Sequence, residues 1–336
     1  MDATLPDLIR QMLQPGFYPH PVKEPIQLLQ THISYILLTG EYAYKVKKSV
    51  KFGFLDFTTL ENRHRFCQEE LRLNQRLSPE LYLAVLPIVQ DSGHYRLDPT
   101  DIDSNSVVDY TVQMRQFPQD ALLSHLFEQD KLTPAMMQEL GILVAQFHAE
   151  TEINADLQGY GSLAAIQKVA ASNYRISEEF IERETDRNFT QTQQQYNETQ
   201  QFTTQFFAQH SDWFVQRQVE GKIRDCHGDL HLNNICFYPD KIRIFDCIEF
   251  NTAFRMIDVI YDVAFLVMDL EFQGRADLAN LFLNTYLEQT GDYWGAALLP
   301  LYLSMRAYIR GNVNSLALKD SAISDADKAG FSQRGK

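Results

Sequence analysis

Apolar positions recur with two different periods along this chain. In the first third they alternate or gather in short runs, the pattern of strands. Beyond Leu122 they return every three or four residues, the pattern of helices. Leu5, Leu8, Ile9, Met12 and Leu13 predict an amphipathic helix over 2–14, stopped by Pro15-Gly16. Strand-like runs at 26–38 and 43–50 are joined by Thr39-Gly40-Glu41, a hairpin signal. A helix is predicted over 59–77, broken before Ser78-Pro79, and further strands over 82–89, 95–97 and 107–115.

The remainder reads as helices. Leu140, Leu143, Val144, Phe147 and His148 lie along one helix at 134–151, and His148 reads as a satisfied core or helix-end histidine. The segment 160–222 is polar and includes Thr190-Gln191-Thr192-Gln193-Gln194-Gln195. Tyr196, Phe202, Phe206, Phe207 and Trp213 still recur there at helical spacing, predicting two helices with a looser join near 185–191. Another helix begins at Asp258, and more follow over 275–290 and 294–318; Arg306 and Arg310 share a face and read as surface ion-pair formers. Residues 324–336 are small and polar, a composition that frays.

A length of 336 residues supports one large domain or two lobes with sizeable cores. Lys and Arg total 30 against 44 Asp and Glu, a net charge of -14 that argues against nucleic acid or an anionic membrane as partner. The first seven residues lack the basic and apolar regions of a signal peptide, and the apolar runs at 257–270 and 296–303 are too short, or carry Asp, to span a membrane. Cys67, Cys226, Cys236 and Cys247 form no C-x-x-C pair and read as free buried thiols of a cytoplasmic protein.

The densest chemical signal is His227-Gly228-Asp229-Leu230-His231-Leu232-Asn233-Asn234, followed by Ile244-Phe245-Asp246 at the end of a strand-like run. An Asp, an Asn five residues later and a second Asp on the next strand are the polar parts of a phosphoryl-transfer site. In such a site Asp229 takes or orients a hydroxyl proton, while Asn234 and Asp246 hold Mg2+ against nucleotide phosphates. His227 braces the loop. Glu249, three residues beyond Asp246, is either a supporting residue or a substrate contact.

At these residues the chain resembles the aminoglycoside phosphotransferase-like kinases, relatives of protein kinases. It resembles in particular a bacterial branch often fused to a C-terminal P-loop ATP-binding domain. The resemblance covers about residues 30 to 315. It implies an α+β, protein-kinase-like bilobal fold: a mainly antiparallel sheet N-lobe over 1–117, a mostly helical C-lobe with the catalytic loop over 118–320, and a tail over 321–336. ATP and Mg2+ are the implied cofactors, and a hydroxyl of a small-molecule acceptor is the implied target. Ala43-Tyr44-Lys45-Val46-Lys47 is similar to the strand that delivers a phosphate-facing lysine; Lys45 fits that position, with Lys47 on the same strand face. A helical glutamate then pairs with the lysine: Glu70, with Glu69 as its rival. Gln113, Met114 and Arg115 are the positions whose backbone would meet adenine. Asp258 and Asp262, at i and i+4, read as anchors for the catalytic loop.

The departures narrow the activity. There is no G-x-G-x-x-G loop, D-F-G is replaced by Asp246-Cys247-Ile248, and no A-P-E follows, so small-molecule phosphorylation is favoured over protein phosphorylation. No G-x-x-x-x-G-K-[ST] occurs, so by comparison with the fused branch the chain is the kinase-like half, standing alone or cut from a longer one, with a separate P-loop ATP-binding domain as partner. Two other readings stand beside this: a catalytically weak or inactive nucleotide-binding module, and a metal-dependent hydrolase using His227, Asp229 and His231.

Overall fold

The computed structural model of the chain describes residues 5–53, 55–98, 106–151, 153, 155–181 and 191–317. The expected tail and most of the expected join near 185–191 lie outside them. Two compact units divide the chain, one of Met1–Leu132 with Leu232–Thr252, the other of Thr133–His231 with Ala253–Lys336.

The first unit begins with α1 (Asp7–Met12), which buries Ile9 and Met12. The run predicted as one strand over 26–38 is two, β1 (Gln27–Gln30) and β2 (Ser34–Leu38), paired antiparallel. The Thr31 hydroxyl oxygen accepts the N–H groups of Ile33 and Ser34 between them, a side-chain turn that breaks the run. β2 and β3 (Tyr42–Lys47) form the predicted hairpin. Its Gly40 has φ +104°, and a Cβ there would lie 2.7 Å from the Cβ of Lys23, so only glycine serves.

A small hairpin of β4 (Lys51–Phe52) and β5 (Leu55–Asp56) leads to α2 (Leu60–Asn74), whose first turn is capped by the Thr59 hydroxyl accepting the Asn62 N–H. β6 (Tyr82–Asp91), β7 (His94–Leu97) and β8 (Val107–Arg115) complete a six-stranded sheet in the order β1-β2-β3-β8-β6-β7, antiparallel throughout. Its two faces are filled differently. Tyr44 and Val46 of β3 enter an apolar cluster with Ile9, Met12 and Tyr18, whereas Lys45 and Lys47 point to the face that carries α2. α3 (Leu123–Glu128) closes this part of the unit.

The second unit opens with α4 (Pro134–Glu150), started by a Thr133 cap and Pro at the first helical position. α5 (Ala155–Gln158) is short. Where two helices are predicted over 160–222, the described residues there form three: α6 (Leu163–Ser177), α7 (Gln193–Gln209) and α8 (Ser211–Val219). The extra break falls at His210, whose ring stacks on Trp213 at 3.9 Å. No Gly or Pro marks it, so the periodicity runs through. β9 (Ile223–Asp225) follows.

The chain then returns to the first unit for the antiparallel pair β10 (Ile235–Phe237) and β11 (Ile242–Ile244). Back in the second unit, α9 (Thr252–Arg255) precedes β12 (Met256–Asp258), which pairs with β9. α10 (Val259–Phe272), α11 (Ala276–Thr290) and α12 (Leu299–Ala317) follow; α10 is buried from Val259 to Leu270 and is the core of this unit. The fold is thus α+β and kinase-like, an antiparallel sheet with one long helix followed by a mostly helical remainder. No described helix is long and apolar enough to cross a membrane. All four cysteines are free and buried, as the sequence predicts.

Candidate active site

Strand alternation and helix spacing build a dense ion cluster inside the first unit. The Lys45 ammonium lies 2.7 Å from Glu70 Oε1 and 2.5 Å from Asp246 Oδ1. Lys47 lies 2.7 Å from Glu70 Oε2 and also bonds the Glu249 carboxylate. Glu69, the rival of Glu70, points away and pairs with Arg72 at the surface. Burial pushes both ammonium groups toward the neutral form, but their carboxylate partners outweigh it and hold both above the usual lysine value. Burial likewise raises the Glu70 carboxyl, and Lys45 and Lys47 overcome that and bring it down to about 2. Burial wins at Glu249, whose carboxyl stays above its ordinary value despite Lys47.

Asp246 is the open member of the cluster, with its side chain 42% exposed. Its backbone is left-handed at φ +62°, a conformation that costs a non-glycine residue energy and marks sites where direction matters. The Asp246 N–H donates to the Tyr82 hydroxyl at 3.2 Å.

Lys45, Asn234 and Asp246 are among the residues lining a cavity of about 220 Å3 in this unit. Its other walls are largely apolar, including Leu38, Ala43, Leu81, Met114, Phe117 and Phe245. An apolar hollow with a few convergent polar groups suits a planar base carrying a charged tail. The amide and carboxylate oxygens of Asn234 and Asp246 are hard donors of the kind Mg2+ takes, so the residues present fit the implied ion. Of the three expected adenine positions, Met114 and Arg115 line the cavity. Gln113 turns its side chain to the other sheet face and donates to the Tyr44 hydroxyl at 3.1 Å. The Arg115 N–H is already given to the Leu81 carbonyl at 2.7 Å and the Gln116 N–H to Glu41 at 3.0 Å.

The loop of the second unit is held mainly through its backbone. Gly228 has φ +87°, which glycine alone adopts freely. The N–H groups of His227 and Gly228 donate to the two Asp262 oxygens at 3.0 and 2.8 Å. His148 approaches the same carboxylate at 3.2 Å and the Tyr286 hydroxyl at 2.9 Å. Burial raises the Asp262 carboxyl, yet His148, His227 and Arg306 overcome it and lower it to about 2. His148 and Asp262 are therefore the satisfied core histidine and loop anchor the sequence predicts; the other expected anchor, Asp258, caps α10 and pairs with Arg217 at 2.7 Å. The Asp229 N–H donates to His227 Nδ1 at 3.2 Å, a hydrogen bond within the loop. The Asp229 side chain is 36% exposed and meets His231 Nε2 at 3.3 Å. Burial raises the Asp229 carboxyl, but His231, His227 and Arg310 drive it below the usual carboxylate range.

One residue was misjudged from sequence. Arg306 is not a surface ion-pair former: it is buried, donates to the carbonyls of Gly228 and Tyr261 at 3.0 and 2.9 Å, and lies over the rings of Tyr261 and Phe265. Its neighbours Leu301, Tyr302 and Met305 are buried too, and that apolar spacing is the available signal. Lys47, set second to Lys45, is fully buried and shares Glu70 with it.

Over residues 54–299 the sequence matches the family described as the APH phosphotransferase enzyme family. An uncharacterized protein of Mycobacterium tuberculosis, Rv2004c, and one of Mycobacterium bovis, Mb2027c, are each 30% identical to this chain over 312 residues. The match covers 91% of this chain and 59% of theirs, so the chain spans less than two thirds of these relatives. Solved structures with similarity include a choline/ethanolamine kinase family protein from Mesorhizobium loti (10% identity, TM-score 0.46, covering 98% of this chain and 94% of that one). A Plasmodium vivax ethanolamine kinase gives 11% identity and TM-score 0.48, covering 92% and 80%. The ADP-bound aminoglycoside phosphotransferase APH(2'')-Ib gives 13% and 0.40, covering 99% and 98%.

Proposed function

From the premise that the chain belongs to the APH phosphotransferase enzyme family, we propose that it moves the γ-phosphate of ATP, with Mg2+, to a hydroxyl of a small-molecule acceptor. The observation that carries this reading is the Lys45–Glu70–Asp246 cluster beside an apolar cavity that Asn234 also lines. In this reading Lys45 neutralises phosphate charge, and Glu70 fixes the lysine's direction. Asn234 and Asp246 hold the Mg2+, which supplies further charge neutralisation when bound. Met114 and Arg115 stand on the adenine side. Asp229, five residues before Asn234, orients the acceptor hydroxyl and receives its proton, and His227 keeps the loop in register. Most of the acceleration then comes from placement and charge stabilisation, because phosphoryl transfer asks little covalent chemistry of the protein.

A cytoplasmic location, where ATP is at hand and thiols stay reduced, belongs to the same proposal. The greater length of the mycobacterial relatives leaves room for the P-loop partner that the fused branch implies.

Calorimetric titration of ATP into the wild type and Asp246→Asn, with and without Mg2+, tests the nucleotide half. Binding should require Mg2+ and collapse in the variant. An acceptor screen by ADP release then tests transfer, which Asp229→Ala should abolish while sparing ATP binding. Near-normal turnover in Asp229→Ala, or equal ATP binding by Asp246→Asn, overturns the assignment.

A further inference from the structure

One buried pair in the first unit is left over once the phosphate-facing lysine has its glutamate. Lys45 and Asp246 line the cavity, whereas Lys47, Glu70 and Glu249 do not. The Lys47 and Glu249 side chains are 0% and 4% exposed, so neither has the access a substrate contact needs. The Lys47 ammonium also lies 4.9 Å over the Phe57 ring, sealed by the cluster of Leu55, Phe57 and Phe66.

Glu70 is shared. One oxygen meets Lys45 and the other meets Lys47. Lys45 has a second carboxylate in Asp246, and Lys47 a second in Glu249. In the proposed reaction Asp246 would help hold the metal, and Lys45 would face the phosphates. Glu70 then remains the carboxylate partner of Lys45, and Lys47 and Glu249, which do not line the cavity, keep its far oxygen in place. The backbone repeats this tie. The Cys247 N–H donates to Asn74 Oδ1 at 2.9 Å, and Asn74 Nδ2 donates to the Glu70 carbonyl at 2.8 Å. The Ser78 hydroxyl donates to the Ile244 carbonyl at 2.7 Å. The segment 244–249 is therefore tied to Glu70 through Lys47 and Glu249, and to the end of α2 and the turn after it through Asn74 and Ser78.

We propose that Lys47 and Glu249 are positioning residues: the pair anchors the far oxygen of Glu70, and so aims Lys45 at the nucleotide phosphates. It takes the place of the activation segment that the sequence lacks, and it leaves α2 no second position to adopt. The inference rests on the nucleotide reading above.

The test is calorimetric titration of Mg–ATP and of adenosine, which lacks the phosphates, into wild type, Lys45→Met, the pair variant Lys47→Met/Glu249→Gln, and the triple variant. Removing both charges of the pair leaves neither one orphaned in the core. The pair variant should lose about tenfold in ATP affinity, keep adenosine affinity within about twofold, and add nothing in the Lys45→Met background, because residues acting through one group are not additive. Unchanged ATP affinity, an equal loss in both backgrounds, or a parallel loss of adenosine overturns the inference and leaves the nucleotide reading standing. A wild type that binds no Mg–ATP overturns both. Should the pair variant fail to fold, Glu249→Gln alone decides: about a threefold loss of ATP affinity supports the anchor, and no loss overturns it.

Discussion

Glu70 in the first unit and Asp262 in the second are both fully buried carboxylates, both held near pKa 2, and they are stabilised by opposite means. Glu70 is met by two ammonium groups on flexible stems. Asp262 is met by two backbone N–H groups, with His148 and Arg306 behind them. An ion cluster built from side chains can redistribute its pairs when a new charge arrives, which a nucleotide and its cation require. A carboxylate bonded to main-chain N–H groups fixes the path of a loop whatever is bound. In the proposed reading the first arrangement serves binding and the second serves geometry, although charge and burial are the same in both.

The hardest way to break this contrast is Asp262→Asn. The amide keeps one acceptor but turns an NH2 toward a backbone N–H, and it removes the negative charge beside Arg306. Breaking such a buried, charge-assisted network costs about 4 kcal/mol of stability, read from urea unfolding. If the proposed function holds, loss of ATP transfer should follow from the loosened His227–Asp229 loop.

Acid sharpens the contrast next. Asp262 is depressed from 3.8 to about 2 in the folded chain. A carboxyl depressed on folding contributes stability that is fully present above its unfolded pKa and is lost as pH falls through the folded one. Asp262 therefore contributes about 2 kcal/mol at pH 7, falling away between about pH 4 and pH 2. Glu249, raised on folding, has the opposite sign: its burial cost is relieved as pH falls through its folded value. Unfolding free energies measured from pH 7 to pH 2 should show a gentler acid decline in Asp262→Asn and a steeper one in Glu249→Gln.

The main elements were legible because each rested on local periodicity. The β2–β3 hairpin, α2 and β6 to β8 follow from alternation and caps, and strand parity put Lys45 and Lys47 on one face. The misses were local side-chain events or tertiary ones. A threonine hydroxyl split 26–38 into two strands, and His210 broke a helix with no glycine or proline to announce it. Arg306 looked like a surface residue because its chain neighbours cannot show that Tyr261 and Phe265, some forty residues away, would cover its guanidinium. The shared use of Glu70 was equally hidden, since helical spacing gives a face and not a partner.

The smallest effect settles which of two adjacent glutamates matters. Glu69 and Glu70 are indistinguishable by composition, yet one helical step separates a surface pair from a buried one. Glu69 meets Arg72 at 2.7 Å with that arginine 56% exposed, so water and salt screen the pair. Glu69→Gln should cost less than about 0.5 kcal/mol, a cost that fades with added salt. It should leave Mg–ATP affinity unchanged, because no ammonium facing the cavity depends on Glu69. Unfolding and titration curves that overlay the wild type are the expected outcome. A loss of ATP affinity from this substitution would mean that α2 is held by its exposed face as well, and the contrast drawn from Glu70 would lose its basis.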